Sequence, residues 1–393
     1  MNELDYQLSV IKSKTEEIVP ESELKAKVER SINTNTPLKI KFGIDPTGSD
    51  MHIGHAVPLR KLKQLQELGH SIEFLIGSFT AKIGDPTGKN ESRKMLSDEQ
   101  IEKNFKTYLD QASEIIDIEK INVHFNGDWL SKLHFEDIVN IMSKFSLSLM
   151  ISREDFANRL KNNTPISLVE LAYPLMQAYD SVYLNADIEI GGTEQKFNLL
   201  RGRDLQKAFG QEPQVCVMLP ILEGLKGRDK MSKSLNNYIS IKDSSNDMFG
   251  KIMSITDDIL MQYYNLVTEL PDEDIEEISK AMSLGMLKPY EAKKMLAYET
   301  VKLYYDEIKA GEAHKYFESL FSKKETPENI EKVSITDITL SDFISNHIGV
   351  SKTQARRLIN DGAVKHKDKA VLEDKKIEKG IWKIGKKTIL EIV

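Results

Sequence analysis

The chain has 393 residues, 40% hydrophobic and 29% charged, with a formal net charge of −7. This length exceeds one ordinary domain and supplies enough apolar material for a core that needs no staples. No run of about 18 apolar residues suggests a membrane span, and the start "MNELDYQLSV" lacks the basic and apolar regions of a secretory signal, which is therefore not expected.

Residues 38–44, "LKIKFGI", alternate in polarity and end near a glycine, which predicts a strand. From His55 to Leu68 a helix is predicted, with Leu59, Leu62 and Leu65 on one face and Gly69 as its stop. "SIEFLIG", 71–77, reads as a second short strand, and strand, helix, strand in this order implies a parallel sheet with a crossover helix. Residues 84–94, "GDPTGKNESRK", predict a mobile loop. Residues 97–160 read as largely helical, and "FEDIVNIMSKFSLSLMI" carries more apolar surface than one helix face needs, which suits either core or a surface covered by another subunit. "DIEIGG", 187–192, and "PQVCVML", 213–219, predict two more strands with the helix "TEQKFNLLRGRDL" between them. The single cysteine, Cys216, lies in the second of these; it can form neither an internal disulfide nor a thiolate metal site alone, and it reads as a small buried residue in keeping with a reducing cytoplasm.

Residues 245–322 run helix after helix and suggest a separate helical domain. Polar residues 322–334, with Pro327, read as a linker to a third unit of short helices and strands. From Asp337 to Val393 there are 12 Lys and Arg against 8 Asp and Glu, so this tail carries +4 and the remainder −11. A basic tail on an acidic body hints at nucleic acid despite the acidic total.

Two stretches carry phosphate chemistry. "DMHIGHAVPLRKL", 50–62, sets His52 and His55 around Gly54 where the predicted helix begins. A helix N-terminus offers free N–H groups and partial positive charge to an anion, and a glycine lets a ligand approach the backbone. The i, i+3 histidines would also suit a metal pair, although no further ligand cluster lies nearby, and the plain alternative is a cap and a loop residue. "GRDKMSKSLNNY", 227–238, places Lys230 and Lys233 in one short loop, either as solvated charge or as a pair that neutralises a polyphosphate. HIGH at 52–55 and KMSKS at 230–234, on a strand–helix–strand frame, resemble the class I aminoacyl-tRNA synthetases. "LAYPLMQAYD" adds Tyr173, Gln177 and Asp180 on one helix face. A carboxylate in a pocket that accepts from a substrate hydroxyl rejects the analogue lacking it by about 10⁴–10⁵, the figure known for tyrosyl-tRNA synthetases choosing tyrosine over phenylalanine, and the spacing resembles that family's substrate helix.

"KFGIDPTGSDMHIGH", "IGDPTGK", "YPLMQAYD", "IGGTEQ" and "KMSKS" stand in the order found in the bacterial tyrosyl-tRNA synthetases, so the resemblance spans nearly the whole chain. It implies an α/β fold: a Rossmann-type catalytic domain with a parallel sheet at 1–240, holding a helical insertion near 97–165. An α-helical anticodon-binding domain at 241–322, a linker at 323–336 and a small α+β RNA-binding domain at 337–393 would follow. The implied reaction is activation of L-tyrosine by ATP and transfer to tRNA(Tyr), with Mg²⁺ accompanying ATP and no tightly bound cofactor or metal site in the protein. Asp85, Tyr173 and Gln177 would hold the tyrosine ammonium and Asp180 its phenol, with Lys41, Thr80 and Gln195 completing that site. Thr47, His52, His55, Lys89, Arg93, Lys230 and Lys233 would act on the phosphates. Gly43, Asp45, Gly54, Gly192, Glu194 and Met231 would complete the ATP site with His52, His55, Lys230 and Lys233. The tail resembles an RNA-binding module of a small-subunit ribosomal protein, which implies tRNA contact by Lys352, Arg356 and Arg357 of a helix at 351–361 and by Lys365 and Lys367 of the next strand. The family also implies a homodimer, with the interface expected in the insertion at 130–160, and the composition points to the cytoplasm.

Two positions depart from the usual pattern. Lys41 stands where many members have a tyrosine as second partner of the substrate phenol, and Glu194 replaces the usual ribose-contacting Asp. Tryptophanyl enzymes share the frame, but Asp180 and the Tyr173/Gln177 face argue against that branch. A non-catalytic RNA-binding protein on the same scaffold is disfavoured because His52, His55, Lys230 and Lys233 are all retained.

Overall fold

The computed structural model describes residues 1–46, 51–85, 97–227, 229–232, 235–321, 331–334, 338–366, 369–385 and 388–393. It divides into two compact units, Met1–Asp243 with Lys251–Leu296 and Ser244–Gly250 with Ala297–Val393.

The first unit is built on six strands: β1 Glu17–Val19, β2 Lys39–Ile44, β3 Ser71–Ile76, β4 Ile121–Phe125, β5 Ile188–Gly192 and β6 Val215–Leu219, in the order β1-β6-β5-β2-β3-β4. All neighbours are parallel except β1, which lies antiparallel on β6. The inner strands read as apolar runs because helices cover both faces of such a sheet; Ile72, Phe74, Ile76, Val215 and Cys216 are all buried. The helix Ile53–Glu67 crosses from β2 to β3 and buries Leu59, Leu62 and Leu65, the predicted face, each worth about 1.5–3 kcal/mol of apolar burial. The chain runs β2 to β3 to β4 in one direction, then returns to place β5 on the other side of β2. The strand order therefore reverses between β2 and β5, and a crevice opens beyond the carboxyl ends of strands at such a reversal.

The helix Leu168–Leu184 leads into β5. "SLVE" starts it as a capping box, with Val169 N–H donating to Ser167 Oγ and Ser167 N–H to Glu170 Oε1. Asn185 ends it in the left-handed region at φ 50°.

The second unit holds β7 Glu331–Val333, β8 Val364–His366, β9 Lys369–Ala370, β10 Gly380–Ile384 and β11 Thr388–Ile392, in the order β7-β11-β10-β8-β9. Its pairs are antiparallel apart from β7 on β11. Leu340, Phe343 and Ile344 of one helix and Ala355 and Ile359 of the next pack on Val364, Trp382 and Leu390.

The stretch 97–160 is largely helical, as expected, but also supplies a strand, since "INVHF" forms β4 beside β3. Two sequence expectations are corrected. The predicted linker ends in a strand, since 331–333 pair with β11. The helix predicted from His55 starts at Ile53 with His52 as its N-cap.

Candidate active site

The crevice at the β2/β5 reversal gathers most of the described site residues. At one end stands the helix Ile53–Glu67, whose first turn is shaped by the two histidines. His52 N–H donates to His55 Nδ1 at 3.2 Å, and the two rings lie 3.7 Å apart. A Cβ on Gly54 would come within 3.0 Å of His52 Nδ1, so glycine leaves the imidazole in place. The stretch entering this helix is tied to the chain just after the KMSKS loop. Ile53 N–H donates to Ile239 C=O at 3.0 Å and Ile241 N–H to Met51 C=O at 3.3 Å. Main-chain hydrogen bonds thus hold the histidine motif beside the segment that follows the lysine motif, although some 180 residues separate them.

Lys230 is exposed on a narrow turn opposite Glu223. Asn237 fixes that turn: its side chain accepts from Ser232 N–H at 2.8 Å and donates to Lys230 C=O at 3.2 Å, while its C=O accepts from Leu225 N–H. A Cβ on Gly224 would overlap the Asn237 amide. Met231 is 4% exposed and its N–H is taken by Leu222 C=O, so its side chain anchors the loop in the core.

Past the end of β5, Glu194 folds back over Gly192, where any Cβ would overlap its carboxylate. Burial raises the Glu194 pKa above the usual carboxylate value, opposed by the charge of Lys230 and reinforced by that of Asp85. Gln195 Nε2 donates to Asp85 Oδ2 at 2.7 Å, and Gln195 Oε1 accepts from Asn198 at 2.9 Å.

A continuous chain of polar groups forms the deep end. Tyr173 Oη donates to Asp45 Oδ2 at 2.8 Å, and Thr80 Oγ1 donates to Asp45 Oδ1 at 2.8 Å. Asn126 Nδ2 donates to Thr80 Oγ1 at 3.1 Å and to Asp180 Oδ2 at 3.2 Å, and Trp129 Nε1 donates to Asp180 Oδ1 at 2.9 Å. Gly77 lies beneath, where a Cβ would overlap Asp45 and Thr80. Asp180 is 2% exposed; burial pushes its pKa up to about 7, although Lys41, Trp129 and Asn126 act in the other direction. Burial, with Asp45 and Asp85 nearby, holds the Tyr173 hydroxyl well above its ordinary pKa.

Lys41, on β2, is 0% exposed. Its ammonium donates to Gln177 C=O at 3.0 Å and Ser181 Oγ at 2.7 Å, and meets Glu189 Oε1 at 2.9 Å. An ammonium has three protons, so Lys41 is fully engaged by the protein and does not reach a phenol directly. Gly43, two residues on, has β3 Leu75 alongside. In the second unit Lys352, Arg356, Arg357 and Lys365 are exposed, and the first three face Asp342, Asp374 and Asp361. Thr47, Lys89, Arg93, Lys233 and Lys367 lie outside the described residues, as does most of the loop predicted at 84–94.

Asn126, Trp129, Glu189 and Asn237 were not singled out from the sequence. Trp129 carried a signal, being one of two tryptophans; so did Glu189, a charge inside the apolar strand "IEIGG". Asn126 and Asn237 act through loop geometry that no spacing displays.

Comparison with known proteins accords with this geometry. A family model described as tRNA synthetases class I (W and Y) matches residues 33–322. The tyrosine–tRNA ligase of Carboxydothermus hydrogenoformans is 47% identical over 407 residues, covering 100% of this chain and 99% of that protein. Tyrosine–tRNA ligase 2 of Clostridium acetobutylicum is 44% identical over 398 residues, with both chains covered in full. Among solved structures, the tyrosyl-tRNA synthetase of Aeropyrum pernix superposes with a TM-score of 0.64 at 22% identity, over 80% of this chain and 99% of that one, a likeness of fold. That of Archaeoglobus fulgidus, complexed with L-tyrosine, gives 0.64 at 24% identity over 79% and 100%.

Proposed function

The chain belongs to the class I tRNA synthetases of the tryptophan and tyrosine group, and we infer from this premise that it works as a tyrosine–tRNA ligase. The tyrosine carboxylate attacks the α-phosphorus of ATP, the bond to the bridging oxygen breaks, and tyrosyl-adenylate and pyrophosphate form. A hydroxyl at the 3′ end of tRNA(Tyr) then attacks the tyrosyl carbonyl and AMP leaves. No side chain needs to become a covalent nucleophile; the protein positions the reactants and stabilises charge.

The observation that carries the choice of tyrosine is Asp180, a buried carboxylate oriented by Asn126 and Trp129. It accepts a hydrogen bond from the hydroxyl of the substrate phenol, and Asp85, Tyr173 and Gln177 receive the ammonium. Thr80 and Asp45 hold Tyr173 in place, and Gln195 faces the reacting carboxylate. The first turn of the helix Ile53–Glu67, with Gly43, Asp45, Gly54 and Gly192, receives the nucleotide, and Glu194 receives its ribose. His52, His55 and Lys230 stabilise the phosphates in the transition state, joined by Thr47, Lys89, Arg93 and Lys233. Among the described residues no group of three His, Cys, Asp or Glu side chains is placed to hold an ion. Mg²⁺ would accompany ATP through its phosphates and would supply neutralising charge there.

The helices of 241–322 serve as the anticodon-binding module and 337–393 as a second RNA-binding module, with Lys352, Arg356, Arg357, Lys365 and Lys367 toward the phosphates. A homodimer would bury the apolar side chains of the insertion: Phe135, Ile138, Val139, Met142 and Leu147 are all exposed, Phe135 by 80%. No helix among the described residues is long and apolar enough to cross a membrane, and the cytoplasm is the proposed place of work. The test is pyrophosphate exchange into ATP with L-tyrosine or L-tryptophan as the only amino acid. Exchange with tyrosine alone is expected; exchange with tryptophan would move the chain to the other branch.

A further inference from the structure

Beneath the substrate crevice lies a charged cluster that the reaction as described does not use. Glu189 is 2% exposed, and its carboxylate faces four donors. Oε1 meets Lys41 Nζ at 2.9 Å and Gln177 Nε2 at 3.3 Å; Oε2 accepts from Ser181 Oγ at 3.2 Å and from Gln214 Nε2. Adjacent strands hold the two charges together, since Lys41 of β2 is the register partner of Glu189 on β5.

The contact with Gln177 matters for the substrate. A glutamine amide has a donor end and an acceptor end, and only its surroundings decide which way it turns. A carboxylate is acceptor-only, so it captures the Nε2 end and turns Oε1 away from itself. An ammonium in the crevice needs that oxygen; the reversed amide would present N–H groups and repel it. A buried carboxylate alone would be costly, and Lys41 supplies the opposite charge at the shortest of these distances that involves a formal cation. We propose that Glu189 is a positioning residue that latches the Gln177 amide with its oxygen toward the amino group of the substrate, and that Lys41 is its countercharge. The inference rests on the ligase reading above. It also gives Lys41 a place in tyrosine recognition without contact to the phenol.

The test compares L-tyrosine with 3-(4-hydroxyphenyl)propanoate, which lacks only the amino group, by calorimetric titration. The variant is Lys41→Met with Glu189→Met, because removing both charges avoids an unpaired one and replacing such a pair by apolar residues is tolerated. Circular dichroism and thermal melting establish that it folds. The latch predicts that tyrosine binds about 10- to 100-fold more weakly, as expected on losing a hydrogen bond to a charged group, while the affinity for the analogue changes in neither direction. Adding Gln177→Glu then restores the preference for tyrosine, because an acceptor-only side chain cannot turn the wrong way. Equal weakening of both ligands, an unchanged preference in the double variant, or failure of the third substitution to restore it would each overturn the proposal. A native chain that binds neither ligand would instead overturn the ligase reading.

Discussion

Asp180 is the side chain proposed to decide the choice of substrate, and its surroundings have a measurable consequence. Its folded pKa is about 7 because it is buried, whereas an unfolded aspartate titrates near 3.9. Between those two values the folded chain keeps a proton that the unfolded chain has released. Stability therefore falls as pH rises through this window, by up to about 4 kcal/mol from this group. Asp180→Asn removes the effect, so its urea midpoint should gain on the native one between pH 4.5 and 7.5; parallel profiles would contradict the assignment. Lys230 is proposed to stabilise charge on the phosphates. Lys230→Ala should slow adenylate formation by about 10²–10³, the usual loss for such a donor, with tyrosine affinity kept, as equilibrium dialysis and pre-steady-state measurements would show. Asp180, Tyr173 and Gln177 were legible in the sequence because i, i+4 and i+7 share a helix face. Asn126 and Trp129, which hold Asp180, were not, because they reach it from the segment after β4, more than 50 residues earlier in the chain.

At the scale of elements, the site depends on two short stretches holding each other. The helix Ile53–Glu67 receives its first turn from the 239–241 segment, and Asn237 fixes the turn that carries Lys230. Gly54→Ala would press a methyl against the His52 ring. It should lower the rate of exchange about tenfold or more, in line with removal of part of a phosphate contact, while the melting temperature moves little. Asn237→Ala should raise the KM for ATP and leave that for tyrosine near native. A native KM for ATP would show that the turn holds its form unaided. The strand–helix–strand frame of 38–77 was readable from periodicity alone. β1 and β4 escaped, β1 because three residues carry no period and β4 because "INVHF" interrupts a long helical context. The pairing of Lys41 with Glu189 depends on the register between β2 and β5, which no local pattern encodes.

For the whole molecule, charge and exposed apolar surface set the expectations. The tail from Asp337 carries +4 on a body of −11, so tRNA affinity should fall with salt, and each phosphate contact removed should lower the slope of log K against log salt by about 1. Lys352 and Arg356 face Asp342 and Asp374 in the free protein, and phosphates must compete with these carboxylates. The proposed homodimer would cover the exposed Phe135 and Met142, and Phe135→Asp should then shift sedimentation from dimer to monomer; a native monomer at working concentration would remove that proposal. The central claim is that this chain activates tyrosine and recognises it by its phenol through Asp180. The most direct measurement is kcat/KM for pyrophosphate exchange with L-tyrosine and with L-phenylalanine, in native and Asp180→Ala enzyme. The native ratio should be about 10⁴–10⁵ in favour of tyrosine, the value known for enzymes of this family, and should collapse in the variant. Comparable rates with both amino acids in the native enzyme, or a ratio unchanged by Asp180→Ala, would contradict it.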